Sequence, residues 1–101
     1  MQVLKFGGTS VANAENINKV VAIVQQALQK DRTLVIVSAL GGITDTLLAA
    51  AELAAAGDES YKDKLLVIEQ RHLDTVKALM PVTQQSSVLS IVKKHCNEIE
   101  D

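Results

Sequence analysis

The run Thr33-Leu34-Val35-Ile36-Val37-Ser38 most constrains how this chain can fold. It is continuously apolar and rich in β-branched residues, the pattern of a strand covered on both faces. A second short stretch, residues 2–6 with Val3-Leu4 at its centre, reads as another largely buried strand. Between the two, Ile17, Val20, Val21, Val24 and Leu28 recur at spacings of three and four, the helical period. Asn13 is placed to cap that helix, Glu15 lies in its positive first turn, and the helix is expected to end near Lys30. Strand, helix and strand at this spacing predict a βαβ unit with parallel strands and a right-handed crossover.

Three further helices are expected downstream. Thr44 or a neighbour starts the first, which runs through Leu47, Leu48 and Leu53 to a stop at Gly57. Ser60-Tyr61-Lys62-Asp63 has the form of a capping box with a shortened acid and opens a helix reaching about Met80. Pro81 breaks the chain, and Thr83 or Ser86 begins a last helix with Val88, Val92, Cys96 and Ile99 on one face, running to Asp101. Two parallel strands and three trailing helices do not complete a sheet, because each strand keeps an unpaired edge. The chain is therefore expected to be one segment of a longer protein, or else to oligomerise to complete its sheet.

Length and charge narrow the function. The 101 residues allow one small domain, and the net charge of −2 comes from interspersed acids and bases. No basic stripe points to nucleic acid and no polybasic cluster or long apolar span points to a membrane. The single Cys96 excludes an internal disulfide, and Met1 leads directly into a strand without a signal-type segment; both fit a cytoplasmic setting. His95-Cys96 lacks the partners of a metal site, so no metal ligands are assigned; Cys96 is read as a small core residue and His72 as a surface residue.

The chemistry-bearing run is Lys5-Phe6-Gly7-Gly8-Thr9-Ser10, where a strand enters a glycine turn with a cation at its lip. Glycine lets backbone N–H groups approach a phosphate closely, and a lysine in an apolar strand is costly to bury without an anion. The lysine precedes the glycines, so this is no Walker A loop, and G-x-G-x-x-G is absent. On local chemistry the turn is either a phosphate site or a plain strand-to-helix connection whose glycines relieve strain. Parallel strands would bring a second turn, Ala39-Leu40-Gly41-Gly42, to the same carboxyl edge, where open α/β sheets bind ligands. Hydroxyls at Ser38 and Thr44 flank it.

The full string Val3-Leu4-Lys5-Phe6-Gly7-Gly8-Thr9-Ser10-Val11-Ala12 resembles the amino terminus of aspartate kinases, members of the amino-acid kinase superfamily. The resemblance extends over the first fifty residues or so, and the opening through Ala14-Glu15 is similar to the bifunctional aspartokinase/homoserine dehydrogenase group. It implies that residues 1–101 are the amino-terminal part of a three-layer amino-acid kinase domain whose remainder lies beyond them. It implies further that Lys5, Gly7 and Gly8 hold the ATP phosphates, with Lys5 also catalytic, that Thr44 contacts L-aspartate, and that Ser38 lies near the reacting groups. ATP and Mg2+ are the implied cofactors, a homo-oligomer the implied full-length assembly, and 4-phospho-L-aspartate the implied product, at the start of lysine, threonine and methionine biosynthesis.

Asp45 stands where the family usually has asparagine, and Leu40-Gly41 where smaller serine and alanine are common. Asp45 can cap the helix instead of meeting an anionic substrate, and the same capping role is open to Thr44. Two other readings remain: a superfamily member with glutamate, carbamate or a nucleotide as acceptor, and a small α/β binding module without catalysis.

Overall fold

The computed structural model describes residues 1–100 and orders them as β1 (Gln2–Phe6), α1 (Ala14–Lys30), β2 (Thr33–Val37), α2 (Ile43–Ala55), α3 (Tyr61–Leu79) and α4 (Val82–Glu100). The expected α/β class and order hold; Asp101, the expected end of the last helix, lies outside the described residues. Two bodies divide the chain, residues 1–42 and 43–101.

In the first body β1 and β2 pair in parallel, in a register running from Gln2 opposite Thr33 to Phe6 opposite Val37. The pairing continues past the strands, where the Ser38 N–H donates to the Phe6 carbonyl at 3.1 Å. α1 packs against both strands. Its start is the predicted one: the Asn13 side chain accepts from the Asn16 N–H at 2.9 Å, filling one of the vacant donor positions of the first turn. Val11 and Val20 are buried, and the Gln2 amide donates to the Ala27 carbonyl at 3.0 Å, tying the start of β1 to the end of α1.

Only β1 has a covered face, and β2 is exposed on both. Gln2, Leu4 and Phe6 alternate with exposed Val3 and Lys5, while on β2 Leu34 and Ile36 remain 49% and 45% exposed and Val35 and Val37, on the α1 side, 38% and 55%. The β-branched run of β2 therefore does not form a strand buried on both faces, as its composition predicts. Such a run encodes the surroundings of a strand in a complete sheet, and here a covering layer is missing. Burial of Lys5 is likewise not realised, and its side chain reaches solvent.

In the second body α2 packs on α3 and α3 on α4, with Ile43, Ala50 and Ile68 buried. α2 ends as predicted. Gly57 takes φ +75°, its N–H reaches the Ala54 carbonyl at 3.1 Å, and the Asp58 N–H reaches Leu53 at 2.9 Å, the paired bonds of a Schellman motif.

The next helix starts differently from expectation. Ser60 makes no side-chain cap; its backbone N–H instead donates to the Asp58 carboxylate at 2.9 Å, and this bond holds the Asp58 pKa below the ordinary aspartate value. The capping box loses to an Asx-type turn two residues upstream. α4 starts one residue before Thr83, directly after Pro81, and the Gln85 amide ties it to the carbonyls of Lys77 and Met80. His72 is half-buried rather than at the surface, with its Nδ1 2.7 Å from the Ile68 carbonyl. Cys96 is half-buried, and desolvation raises its thiol pKa. No helix among the described residues is long and apolar enough to cross a membrane.

Nothing lies within 4 Å of a Cβ built on Gly57, so its only requirement is the positive φ. Gly57→Ala in the protein carrying this segment is expected to lose about 1–2 kcal/mol, the cost of a left-handed L-residue. Urea denaturation checks this, and an unchanged midpoint would show that α2 ends without the Gly57 cap.

Candidate functional site

Both glycine turns leave the sheet at one edge because β1 and β2 run the same way and finish level, Phe6 beside Val37. The first turn is closed by the Ser10 N–H donating to the Gly7 carbonyl at 3.1 Å, followed by a weaker closure from Ala12 N–H to Thr9 at 3.4 Å. Among the described residues no protein acceptor takes the intervening N–H groups of Gly8 and Thr9. Two consecutive free amides at the end of a strand form the kind of concavity that binds anions.

The reasons for glycine differ between the turns. Neither Gly7 nor Gly8 has positive φ. A Cβ on Gly7 would meet nothing within 4 Å, and one on Gly8 would make ordinary contacts, 3.6 Å from the Ser38 hydroxyl and 3.8 Å from the Gly41 Cα. Relief of backbone strain therefore does not explain this pair. Gly41 is different: its Cβ would lie 3.1 Å from both the Ala12 Cβ and the Gly8 carbonyl oxygen. The second turn is pressed against the first.

Lys5 lies one residue before the end of β1, on the sheet face away from α1, and is exposed. Among the described residues no carboxylate forms an ion pair with it. Ser38 follows β2 directly, and its hydroxyl donates to the Ala39 carbonyl at 2.9 Å, so it must rotate before it can donate to a ligand. The structure thus brings Lys5, Gly7, Gly8 and Ser38 to one sheet edge within the first body.

Thr44 belongs to the second body. It is the second residue of α2 and is exposed. A residue inside the first turn is not the cap, so the capping alternative for Thr44 is not realised. Asp45 stands next to it in that turn, where a negative charge is favoured by the helix dipole.

Thr9 to Asn13 separate the start of α1 from the glycines, and the Asn13 carboxamide already accepts from its first turn. No group of three or more His, Cys, Asp or Glu among the described residues can hold a metal ion. Two contributors were missed by sequence reasoning. Ala12 packs against Gly41, and the Asn16 side chain donates to the Thr9 carbonyl at 2.9 Å. Both depend on the path of the loop, which no local periodicity encodes.

Gly41→Val is expected to push the turns apart and to destabilise the protein by about 1–3 kcal/mol, the usual cost of overpacking. Chemical denaturation together with the Gly8 amide chemical shift checks it. Unchanged stability and an unmoved Gly8 resonance would show that the turns do not press on each other.

Comparison with known proteins gives these residues a context. The model of the amino acid kinase family matches residues 1–99. The chain is 34% identical over 98 residues to the chloroplastic bifunctional aspartokinase/homoserine dehydrogenase 1 of Arabidopsis thaliana, covering 97% of this chain and 11% of that protein. It is 37% identical over 103 residues to the aspartokinase of Chlamydia pneumoniae, covering 98% of this chain and 22% of that protein. The crystal structure of aspartate kinase from Synechocystis superposes with a TM-score of 0.52 at 26% identity, over 91% of this chain and 15% of that one. The chain thus spans between about a tenth and a fifth of the length of these relatives, and it matches both a protein named aspartokinase and one named bifunctional aspartokinase/homoserine dehydrogenase.

Proposed function

The chain belongs to the amino acid kinase family, and we propose that it is the amino-terminal part of an aspartate kinase domain that, in the whole protein, phosphorylates L-aspartate with ATP. The observation that carries this reading is the pair Gly7-Gly8. It has neither positive φ nor a protein atom within clashing distance of a Cβ to explain it, and it leaves the Gly8 and Thr9 amides free beside Lys5. A turn kept open for no internal reason is open for a ligand, and exposed amides with a cation fit a phosphate. The relatives named aspartokinase supply the acceptor, and Thr44 is its proposed contact.

The chemistry makes modest demands on side chains. The side-chain carboxylate of aspartate is ionised at neutral pH, because its ordinary pKa is about 3.9. One of its oxygens attacks the γ-phosphorus, a P–O bond forms to the carboxylate, and the bridging bond to ADP breaks with its electron pair leaving on ADP. No proton has to be removed, so a general base is not required. The obstacle is repulsion between an anion and a polyanion, and positioning with charge neutralisation overcomes it. Lys5 stabilises charge on the transferred phosphoryl group, the Gly8 and Thr9 amides hold phosphate oxygens, and Ser38 orients the acceptor after rotating away from Ala39.

Among the described residues no group of three or more His, Cys, Asp or Glu can hold a metal ion. Mg2+ is proposed to enter with the nucleotide, where it would neutralise phosphate charge. The product, 4-phospho-L-aspartate, places the reaction at the start of lysine, threonine and methionine biosynthesis. A cytoplasmic homo-oligomer is the proposed setting.

The remainder of the kinase domain is an obligatory partner in this reading. An exposed ammonium 4 Å from a charge gains only about 1 kcal/mol in water, and several times more once water is excluded. Residues 1–101 alone are therefore expected to show no phosphoryl transfer to aspartate. In the full-length protein Lys5→Ala is expected to lower kcat by about a hundredfold or more, the scale of a lost preorganised contact. Steady-state kinetics checks it, and an unchanged kcat removes Lys5 from the mechanism. Thr44→Ala is expected to raise the KM for aspartate with little change in the KM for ATP. A change in thermal stability alone would give Thr44 a structural role instead.

A further inference from the structure

We propose that Asn16 is a positioning residue for the phosphate turn, an inference that rests on reading Gly7-Gly8 as the ATP-phosphate site. The turn has little to hold it by packing. Gly7 has no neighbour within 4 Å of a Cβ position, and Thr9 and Ser10 are exposed. Glycines also carry the largest backbone entropy to be lost on ordering. An open turn of this kind must be held by hydrogen bonds if its amides are to meet a phosphate already arranged.

Asn16 supplies such a bond from the body of α1. It is half-buried in the first turn, where its own N–H donates to the Asn13 side chain at 2.9 Å, so its backbone is fixed by the helix cap. From there its Nδ2 donates to the Thr9 carbonyl at 2.9 Å, across seven residues. The Thr9 carbonyl and the Ser10 N–H share one planar peptide unit. Pinning the carbonyl therefore also fixes the N–H that closes the turn onto the Gly7 carbonyl at 3.1 Å. With that closure in place, the Gly8 and Thr9 amides it encloses are left without a protein acceptor among the described residues, and these are the two assigned to phosphate. Asn16 touches no ligand in this account. It acts through Thr9 and Ser10, and the binding it controls is that of the nucleotide and not of the amino acid.

The test uses the full-length kinase with three variants. Asn16→Leu keeps the branched heavy-atom shape and does not weaken the helix but removes the donor, and Asn16→Gln restores an amide on a longer stem. Lys5→Ala reports on the underlying reading. Asn16→Leu is expected to weaken ATP binding in equilibrium titration by about three- to tenfold, the scale of one neutral hydrogen bond. The KM for aspartate and the thermal midpoint should stay at their native values, and Asn16→Gln should recover most of the ATP affinity.

Unaltered ATP affinity in Asn16→Leu, with Lys5→Ala still crippling turnover, overturns the positioning role and leaves the phosphate site standing. Parallel weakening of both substrates with a lowered midpoint makes Asn16 a general stabiliser of α1 and also overturns it. So does an equal loss in the leucine and glutamine variants. Normal turnover in Lys5→Ala removes the phosphate reading itself.

Discussion

The parallel pairing of β1 with β2, in a register that ends Phe6 level with Val37, is the constraint on which the glycine edge depends. Parallel strands send both of their following loops out at the same end, and level ends let those loops touch. The contact is close enough that a Cβ on Gly41 would sit 3.1 Å from Ala12 and Gly8 and force them to give by a few tenths of an ångström. A register slip of one residue would displace one turn by about 3.3 Å along the sheet. It would also turn every side chain of the slipped strand to the opposite face. For β1 that would send Lys5 to the α1 side and away from the open face. Pairing, turn contact and cation placement are thus consequences of one register.

The same alternation explains why the segment shows an exposed lysine among exposed apolar residues. Val3 and Lys5 share the face that α1 leaves uncovered, with Leu34 and Ile36 opposite them on β2. Val3, Leu34 and Ile36 are the surface that a second layer of a three-layer domain would bury. Lys5 is the last β1 residue on that face and the one nearest the carboxyl edge. A lysine so placed can lay its aliphatic stem along an apolar layer and keep its ammonium at the rim, where an anion offsets the cost of desolvation. What reads as an inconsistency in an isolated sheet is consistent in a covered one.

Legibility of the sequence followed the range of the interactions involved. Asn13 at the start of α1 and Gly57 at the end of α2 were readable, because each acts within one turn of its own helix. The helical period of α1 and the β-branched run of β2 also predicted the βαβ order correctly. The Ser60 capping box was readable and wrong, since Asp58 lies closer in sequence to the same N–H and takes it first. His72 was assigned to the surface from its charged neighbours, but a ring nitrogen reaching its own helix carbonyl lets it sit half-buried. Asn16 and Gly41 were not readable, because their partners Thr9, Ala12 and Gly8 depend on how two loops travel. Lys5, Gly7, Gly8 and Ser38 emerged as neighbours at one edge because strand direction alone was enough to predict it.

The chain's glycines separate by physical cause, and the separation bears on function. Gly42 and Gly57 adopt positive φ, which a side chain makes costly, and Gly41 lies where a side chain would crowd Ala12 and the Gly8 carbonyl. Those three are accounted for by the protein's own geometry. Gly7 and Gly8 are not, since an alanine at either position would meet neither a forbidden backbone angle nor a steric clash. Glycine at two consecutive positions raises the entropy lost on folding and returns nothing to the fold. A balancing gain must come from outside the polypeptide, from a group that approaches the backbone more closely than a Cβ would permit. Next to a cation and two free amides, a phosphate oxygen is the group whose charge and size match that gap.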